Sequence, residues 1–272
     1  MSENTTLVIG GTGKTGSRVL SKLQALGVPV RNGSRSASPA FDWSEPATWG
    51  PALDGVQSAY IAFYPDLAFP WAAESIGGLT AIAAEKGVRR LVLLSGRGED
   101  EARVSEDIVK NSGLEWTILR ADWFFQNFSE GMLLEPVLGG TIAFVGGDVA
   151  EPFVDAGDVA ECAVAALTQD AHVGQVYELS GPRLMTFGEV AAEISKAAGR
   201  EVSYAPVTPT QYAELLIEHG EPEDVANLLA AIFAQLLDGR NATLTDGVQR
   251  ALGREPRDFA DFAKEAAPAW QL

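Results

Sequence analysis

Seven residues near the start of the chain, Gly10-Gly11-Thr12-Gly13-Lys14-Thr15-Gly16, limit its fold more than any other feature. They follow an apolar run, Leu7-Val8-Ile9, and precede a stretch from Ser17 to Leu26 in which Val19, Leu20, Leu23 and Leu26 recur at helical spacing before Gly27 ends it. Read from Gly11 the pattern is G-x-G-x-x-G; read from Gly10 it is G-x-x-G-x-x-G. Either spacing turns the chain sharply out of a strand and brings backbone N–H groups against a pyrophosphate. It also packs a helix closely on the sheet, with the helix N-terminus toward the anion. The flanking strand and helix turn a weak pattern into a nucleotide-binding βαβ unit. A Walker A loop is set aside, because Lys14 follows Gly13 without the upstream glycine that loop requires.

Short β-rich runs alternate with helical stretches down the first half of the chain. Val28-Pro29-Val30 begins a second strand, Ser58 to Phe63 forms another, and Arg90 to Ser95 is the clearest. Between them Trp71 to Lys86 reads as a helix, and Glu101 to Asn111 as a further one before a strand from Glu115 to Arg120. Repeated strand–helix–strand units predict an α/β fold, a Rossmann-type doubly wound parallel sheet with helices on both faces. Beyond about residue 130 the pattern loosens. Thr141 to Val145 and Phe153-Val154 read as short strands, Asp158 to Leu167 as a helix, and Val176 to Leu179 as a return to the sheet. Phe187 to Ala198 is a helix that Thr186 and Glu189 cap, and Thr208 to Trp270 is mostly helical. The expected organisation is a cofactor domain over residues 1–150 with returning segments at 151–182. A smaller, mostly helical substrate lobe at 183–272 is interleaved with it.

A length of 272 residues suffices for a large buried core, and 46% hydrophobic content with a mean hydropathy of +0.04 suits a globular chain. No apolar run reaches the ~20 residues that span a bilayer. The opening Met1-Ser2-Glu3-Asn4 is acidic, which argues against a secretory leader, and a cytoplasmic protein is expected. A net charge of -17 argues against nucleic acid, and no Cys/His pattern marks a metal site. Cys162 stands alone and reads as a small buried residue, while His172 and His219 read as surface histidines.

The residues after the second strand select the dinucleotide. An NAD-preferring site places a carboxylate there for the ribose hydroxyls. Val30-Arg31-Asn32-Gly33-Ser34-Arg35-Ser36 has none. Its arginines and hydroxyls suit a 2′-phosphate, with Arg35 the better candidate for a bidentate contact and Ser36 beside it. NADP(H) is therefore the expected cofactor, and Asp42 is a candidate partner for the adenine amino group.

Beyond the glycine run, several motifs resemble the NmrA-like atypical short-chain dehydrogenase/reductases. They are Phe41-Asp42-Trp43, Leu91-Val92-Leu93-Leu94-Ser95, the stretch from Ser112 to Arg120, and Trp123-Phe124-Phe125-Gln126-Asn127-Phe128. Pro152 to Ala160 and Leu184 to Val190 extend the likeness over nearly the whole chain, and Arg254 to Phe259 brings it nearest to the festuclavine dehydrogenase branch and its bacterial relatives. The resemblance implies NADP(H) bound across the strand ends, a substrate cleft roofed by the C-terminal lobe, and Phe63 and Tyr64 on a loop along the nicotinamide side. It also raises Trp123, Phe124 and Asn127 from packing residues to candidate lining of an apolar substrate pocket. Some members reduce imines, quinones or dyes, and others sense redox state without catalysis.

Short-chain dehydrogenases that move hydride to or from an alcohol use Tyr-x-x-x-Lys, and none of Tyr60, Tyr64, Tyr177, Tyr204 or Tyr212 has a lysine four residues on. The segment before Ser112-Gly113-Leu114, where the family often carries a lysine, reads Glu101-Ala102-Arg103-Val104-Ser105-Glu106-Asp107. Arg103 cannot carry a proton at neutral pH. Two readings follow. In one, an NADPH-dependent reductase passes hydride to an electrophilic, flat, apolar small molecule such as an iminium, quinone or conjugated enone. Tyr64 and Ser95 are then its candidate catalytic groups, each with an alternative as strand-end packing or loop capping, and Ser95 also lies where the cofactor is expected. In the other, a non-catalytic NADP(H) sensor acts through a protein partner. A monomer or a homodimer is expected.

Overall fold

The computed structural model describes residues 5–271, so the acidic opening Met1-Ser2-Glu3-Asn4 lies outside the described residues. The chain forms two compact units. The first comprises the chain through Ala121 together with Ala156–Leu179 and Asp246–Glu255; the second comprises Asp122–Asp155, Ser180–Thr245 and the chain from Pro256 on.

The first unit is a six-stranded, wholly parallel sheet. Its strands are β1 (Thr5–Ile9), β2 (Val30–Gly33), β3 (Val56–Ile61), β4 (Arg90–Gly96), β5 (Glu115–Ala121) and, past a four-residue strand β6 described below, β7 (Gln175–Leu179). They lie in the order β2-β1-β3-β4-β5-β7. Strand order reverses between β1 and β3, which makes the crevice beyond their carboxyl ends the place where such sheets bind ligands. Strands buried on both faces need continuous apolar runs, and Leu7, Val8, Ile9, Leu91, Val92 and Leu93 are all fully buried. Each such side chain contributes about 1.5–3 kcal/mol by leaving water.

Helices α1 (Lys14–Ala25), α2 (Trp49–Leu53), α3 (Ala72–Glu85), α4 (Ala102–Lys110) and, after α5 of the second unit, α6 (Ala156–Thr168) pack on this sheet. Val19 and Leu23 of α1 are buried, but Leu26, expected on the same stripe, lies past the helix end and is 64% exposed. The helix begins at Lys14 rather than Ser17 because it rises directly from the glycine loop. Cys162 is buried in α6, and burial pushes its thiol up to about 12. His172 is a correction to the sequence expectation. It is buried, with Nδ1 2.9 Å from the Tyr177 hydroxyl, because the short turn Asp170–His172 folds onto β7. Burial first, and then Arg90, hold its pKa below the ordinary value. His219 is exposed as expected.

The second unit joins a two-stranded parallel pair, β6 (Thr141–Phe144) and β8 (Ser203–Pro206), to helices α5 (Leu134–Leu138), α7 (Phe187–Ala198), α8 (Pro209–Glu218), α9 (Glu223–Leu236) and, past α10, α11 (Phe259–Ala266). Its core is aromatic: Phe125, Phe128, Phe144, Phe153, Phe187, Phe259 and Trp270 are all buried there. Phe153-Val154 is not a strand in its own right; Val154 makes only an isolated bridge to Phe124. The boundaries also differ from those expected. Residues 122–155 belong to the second unit, because Phe125, Phe128, Ile142, Phe144 and Phe153 bury into its core. Asp246–Glu255 belongs to the first, where α10 (Gly247–Leu252) lies so close to β7 that a Cβ on Gly247 would overlap the Glu178 carbonyl oxygen. Among the described residues no helix is long and apolar enough to cross a membrane.

Candidate active site

The glycine run forms a tight cradle at the end of β1. Gly10 has φ +76°, which side-chain-bearing residues rarely adopt, and its N–H donates to the Gly33 carbonyl at 3.0 Å. Gly13 N–H donates back to the Gly10 carbonyl at 2.9 Å, closing the turn before α1. Helix and strand meet at Gly16, where a Cβ would overlap the Gly10 carbonyl oxygen. Gly11 is buried, and Thr12 and Gly13 are exposed at the rim. No side chain caps α1 and its first turn holds no acidic residue, so the helix N-terminus keeps its attraction for an anion. The hydroxyl of Thr15 accepts a hydrogen bond from the fully buried Tyr60 phenol at 2.8 Å, which ties the loop to β3. Burial raises the Tyr60 pKa and keeps the phenol neutral as that donor.

At the end of β2 the two arginines separate in role. Arg31 donates to the Ala52 and Asp54 carbonyls at 2.6 and 2.8 Å and serves the fold. Arg35 and Ser36 are exposed on the following loop. Between them Asn32 places a buried Oδ1 with no hydrogen-bond partner against the position a Gly11 Cβ would fill. A buried acceptor without a donor costs about 1–3 kcal/mol, and a ribose hydroxyl over the cradle would satisfy it. The open glycine face and this orphaned acceptor fit a dinucleotide.

Asp42 is committed locally. Its Oδ1 accepts from the Ser44 N–H at 2.9 Å and the Ser44 hydroxyl at 2.7 Å, while its carbonyl takes the Trp49 indole N–H at 2.7 Å. The Ser44 N–H, then its hydroxyl, and more weakly Arg35 hold the Asp42 carboxyl below its ordinary value. Phe63 is half-buried and rests on Trp43, ring centroids 4.7 Å apart. The next residue, Tyr64, is 78% exposed.

Ser95 lies at the end of β4 but is 4% exposed, and its hydroxyl donates to Glu106 Oε1 at 2.9 Å. Glu106, buried on α4, also accepts from Arg120 Nε at 2.8 Å, from Arg120 Nη2 at 2.6 Å and from Lys110 at 3.1 Å. Arg120 reaches Glu178 at 3.2 Å. Ser95 is thus the neutral member of a buried ionic network, and neither an open donor nor a cap of the next loop. Acids also stand on the loops past β3 and β4: Glu99 is buried, and Asp66 is half-buried with its Oδ1 accepting the Ala68 N–H at 2.8 Å.

The glycine run, Arg35, Ser36, Asp42, Phe63, Tyr64 and Ser95 all lie in the first unit, on or just past the carboxyl ends of β1 to β4. Trp123, Phe124 and Asn127 lie in the second unit and are half-buried. Trp123 packs against Phe144 and Phe233 at centroid distances of 5.4 and 5.2 Å. Sequence reasoning missed Asn32, Tyr60 and Glu106. The strand-end placement of Asn32 was a usable signal; the others acquire meaning only from partners 11 to 45 residues away.

No protein-family model matches the chain. Festuclavine synthase II of Penicillium roqueforti (strain FM164) is 31% identical over 98% of this chain and 99% of its own. The NAD(P)H azoreductase of Xenophilus azovorans is 30% identical over 97% of this chain and 98% of its own. The Citrobacter sp. triphenylmethane reductase complexed with NADP(H) superposes with a TM-score of 0.75 at 22% identity, over 96% of this chain and 99% of that one. NmrA, a negative transcriptional regulator in complex with NAD, does so at 0.72 and 18%, over 98% and 96%. The chain belongs to the NmrA-like atypical short-chain dehydrogenase/reductases. Its glycine cradle therefore opens a family Rossmann unit, and Glu106 of the buried Ser95–Glu106–Arg120 network stands in the 101–107 segment that precedes Ser112.

Proposed function

We propose that this protein is an NADPH-dependent reductase of small, flat electrophiles, acting without a Tyr-x-x-x-Lys pair. The observation that carries the reading is the cradle of Gly10, Gly11, Gly13 and Gly16 with the unpartnered Asn32 Oδ1 beside it and Arg35 beyond, in a chain whose β2 end holds no carboxylate. The similarity to an NAD(P)H azoreductase and a festuclavine synthase over nearly the full length supports it.

When bound, NADPH supplies hydride at the strand ends. The chain's own residues do the rest. Main-chain N–H groups of the glycine loop take the pyrophosphate, and the α1 N-terminus adds its dipole. Arg35, with Ser36, takes the 2′-phosphate, and Asn32 takes a ribose hydroxyl. In the second unit, Trp123 with Phe124 and Asn127 is the group we propose to contact a flat acceptor. Acceptors already electrophilic, such as iminium ions, quinones and conjugated enones, suit a site with no activated phenol.

NADPH consumption against a panel of quinones, enones and iminium ions tests this reading. Turnover with at least one class is expected. Tight NADPH binding with turnover of none would contradict it and favour a non-catalytic NADP(H) sensor.

A further inference from the structure

Strand β3 carries a phenol among apolar neighbours. Tyr60 pairs with Val8 of β1 on one side and with Val92 of β4 on the other. Leu7, Ile9 and Ile61, the alternate residues, enter the core that Trp49, Leu53, Ile76 and Leu79 of α2 and α3 complete. Tyr60 therefore points to the opposite face of the sheet, toward α1. It is fully buried, and its hydroxyl donates to Thr15 Oγ1, itself buried, at 2.8 Å. Thr15 is the second residue of α1, one position before Gly16.

Two contacts hold the start of α1 at the sheet, and they act in opposite senses. At Gly16 the backbone lies so near the Gly10 carbonyl that no Cβ fits, and this contact sets how close the helix can come. The hydrogen bond from Tyr60 is attractive and directional, so it draws the first turn onto β3 and fixes its rotation. It also engages the Thr15 hydroxyl. A threonine in a first turn can aim its oxygen at the backbone N–H groups there, which are the donors an anion needs. With that oxygen held inward, no side chain caps α1, and the N-terminus keeps its donors for an anion.

We propose that Tyr60 is a positioning residue for the dinucleotide: through Thr15 it holds the first turn of α1 where loop and helix N–H groups grip the pyrophosphate. The inference rests on the reading of the glycine cradle as the cofactor site. Buried beneath α1, Tyr60 reaches the cofactor only through Thr15.

Removal of one partner leaves the other hydroxyl buried and unpaired, so a single variant loses stability as well as position. The double variant Tyr60→Phe/Thr15→Val replaces both by apolar groups of similar shape, which can be nearly neutral for stability. It therefore separates a structural role from a positioning one. Equilibrium titration of the full-length protein with NADPH and with 2′-AMP, beside urea unfolding, is the test. The double variant should keep the wild-type urea midpoint yet bind NADPH about fivefold more weakly, the effect of one lost hydrogen bond. Binding of 2′-AMP, which has no pyrophosphate, should be unchanged. Thr15→Ser, which keeps the accepting hydroxyl, should bind NADPH as the wild type does. Both ligands are read on the same folded protein, so a shifted midpoint leaves their comparison intact. Wild-type NADPH affinity in the double variant would overturn the positioning role alone, as would equal losses for NADPH and 2′-AMP. A wild type that binds NADPH no more tightly than 2′-AMP would instead take the pyrophosphate out of the cradle and overturn the reading of the site.

Discussion

A methyl group at Gly16 would have to occupy the space of the Gly10 carbonyl oxygen, so Gly16→Ala must push helix α1 away from β1 or spread the loop. Overpacking of this kind costs about 1–3 kcal/mol. The expected outcome is a lower urea midpoint by that amount and at least tenfold weaker NADPH binding. Unchanged binding would show that the loop does not hold the cofactor by close approach. This part of the site was open to sequence reasoning, because glycine spacing, a preceding strand and a following helix are all local. Arg35 is proposed on an equally local ground, the missing carboxylate beside it. Tyr60 and Glu106 were not open to such reasoning. Their roles arise where separate strand ends meet, and a tyrosine in an apolar strand or a glutamate in a charged helix carries no local mark of its partner. Ser95 shows the same limit in reverse: its position at a strand end was legible, but the Glu106 carboxylate that engages its hydroxyl was not.

Elements with strong local signals form where expected. Helix α7 is closed at its start by a full capping box, in which Thr186 Oγ1 accepts from the Glu189 N–H and Glu189 accepts from the Thr186 N–H. Thr186→Ala should therefore cost about 1 kcal/mol, read as a lower denaturation midpoint with cofactor affinity little changed. A loss below the error of the measurement would mean that tertiary packing alone sets this helix start. Strand β8 had no such signal. It is four residues long, ends in Pro206 and pairs only with β6. Its existence depends on a partner about sixty residues upstream, which periodicity cannot reveal. The parallel strands of the first unit were legible because burial on both faces demands unbroken apolar runs, as in Leu91-Val92-Leu93.

At the scale of the molecule, the chain builds two cores from interleaved segments. Residues 122–155 leave the sheet to join an aromatic core, and Asp246–Glu255 returns to lie on β7. A boundary near residue 150 looks natural in the sequence, where strand–helix alternation fades. Which core a short amphipathic segment enters is decided by three-dimensional complementarity, such as Gly247 against Glu178. The first unit nevertheless places every cofactor residue proposed from the sequence at one end of one sheet.

We propose that Arg35 makes this end of the sheet select NADP(H). Equilibrium titration of the wild type and Arg35→Ala with NADPH and with NADH tests it most directly. Loss of a charge-assisted contact to the 2′-phosphate is worth about 1.5–3 kcal/mol. NADPH affinity should therefore fall roughly tenfold or more, while NADH affinity stays nearly constant. Equal losses for the two cofactors, or a wild type that prefers NADH, would show that Arg35 does not select the 2′-phosphate.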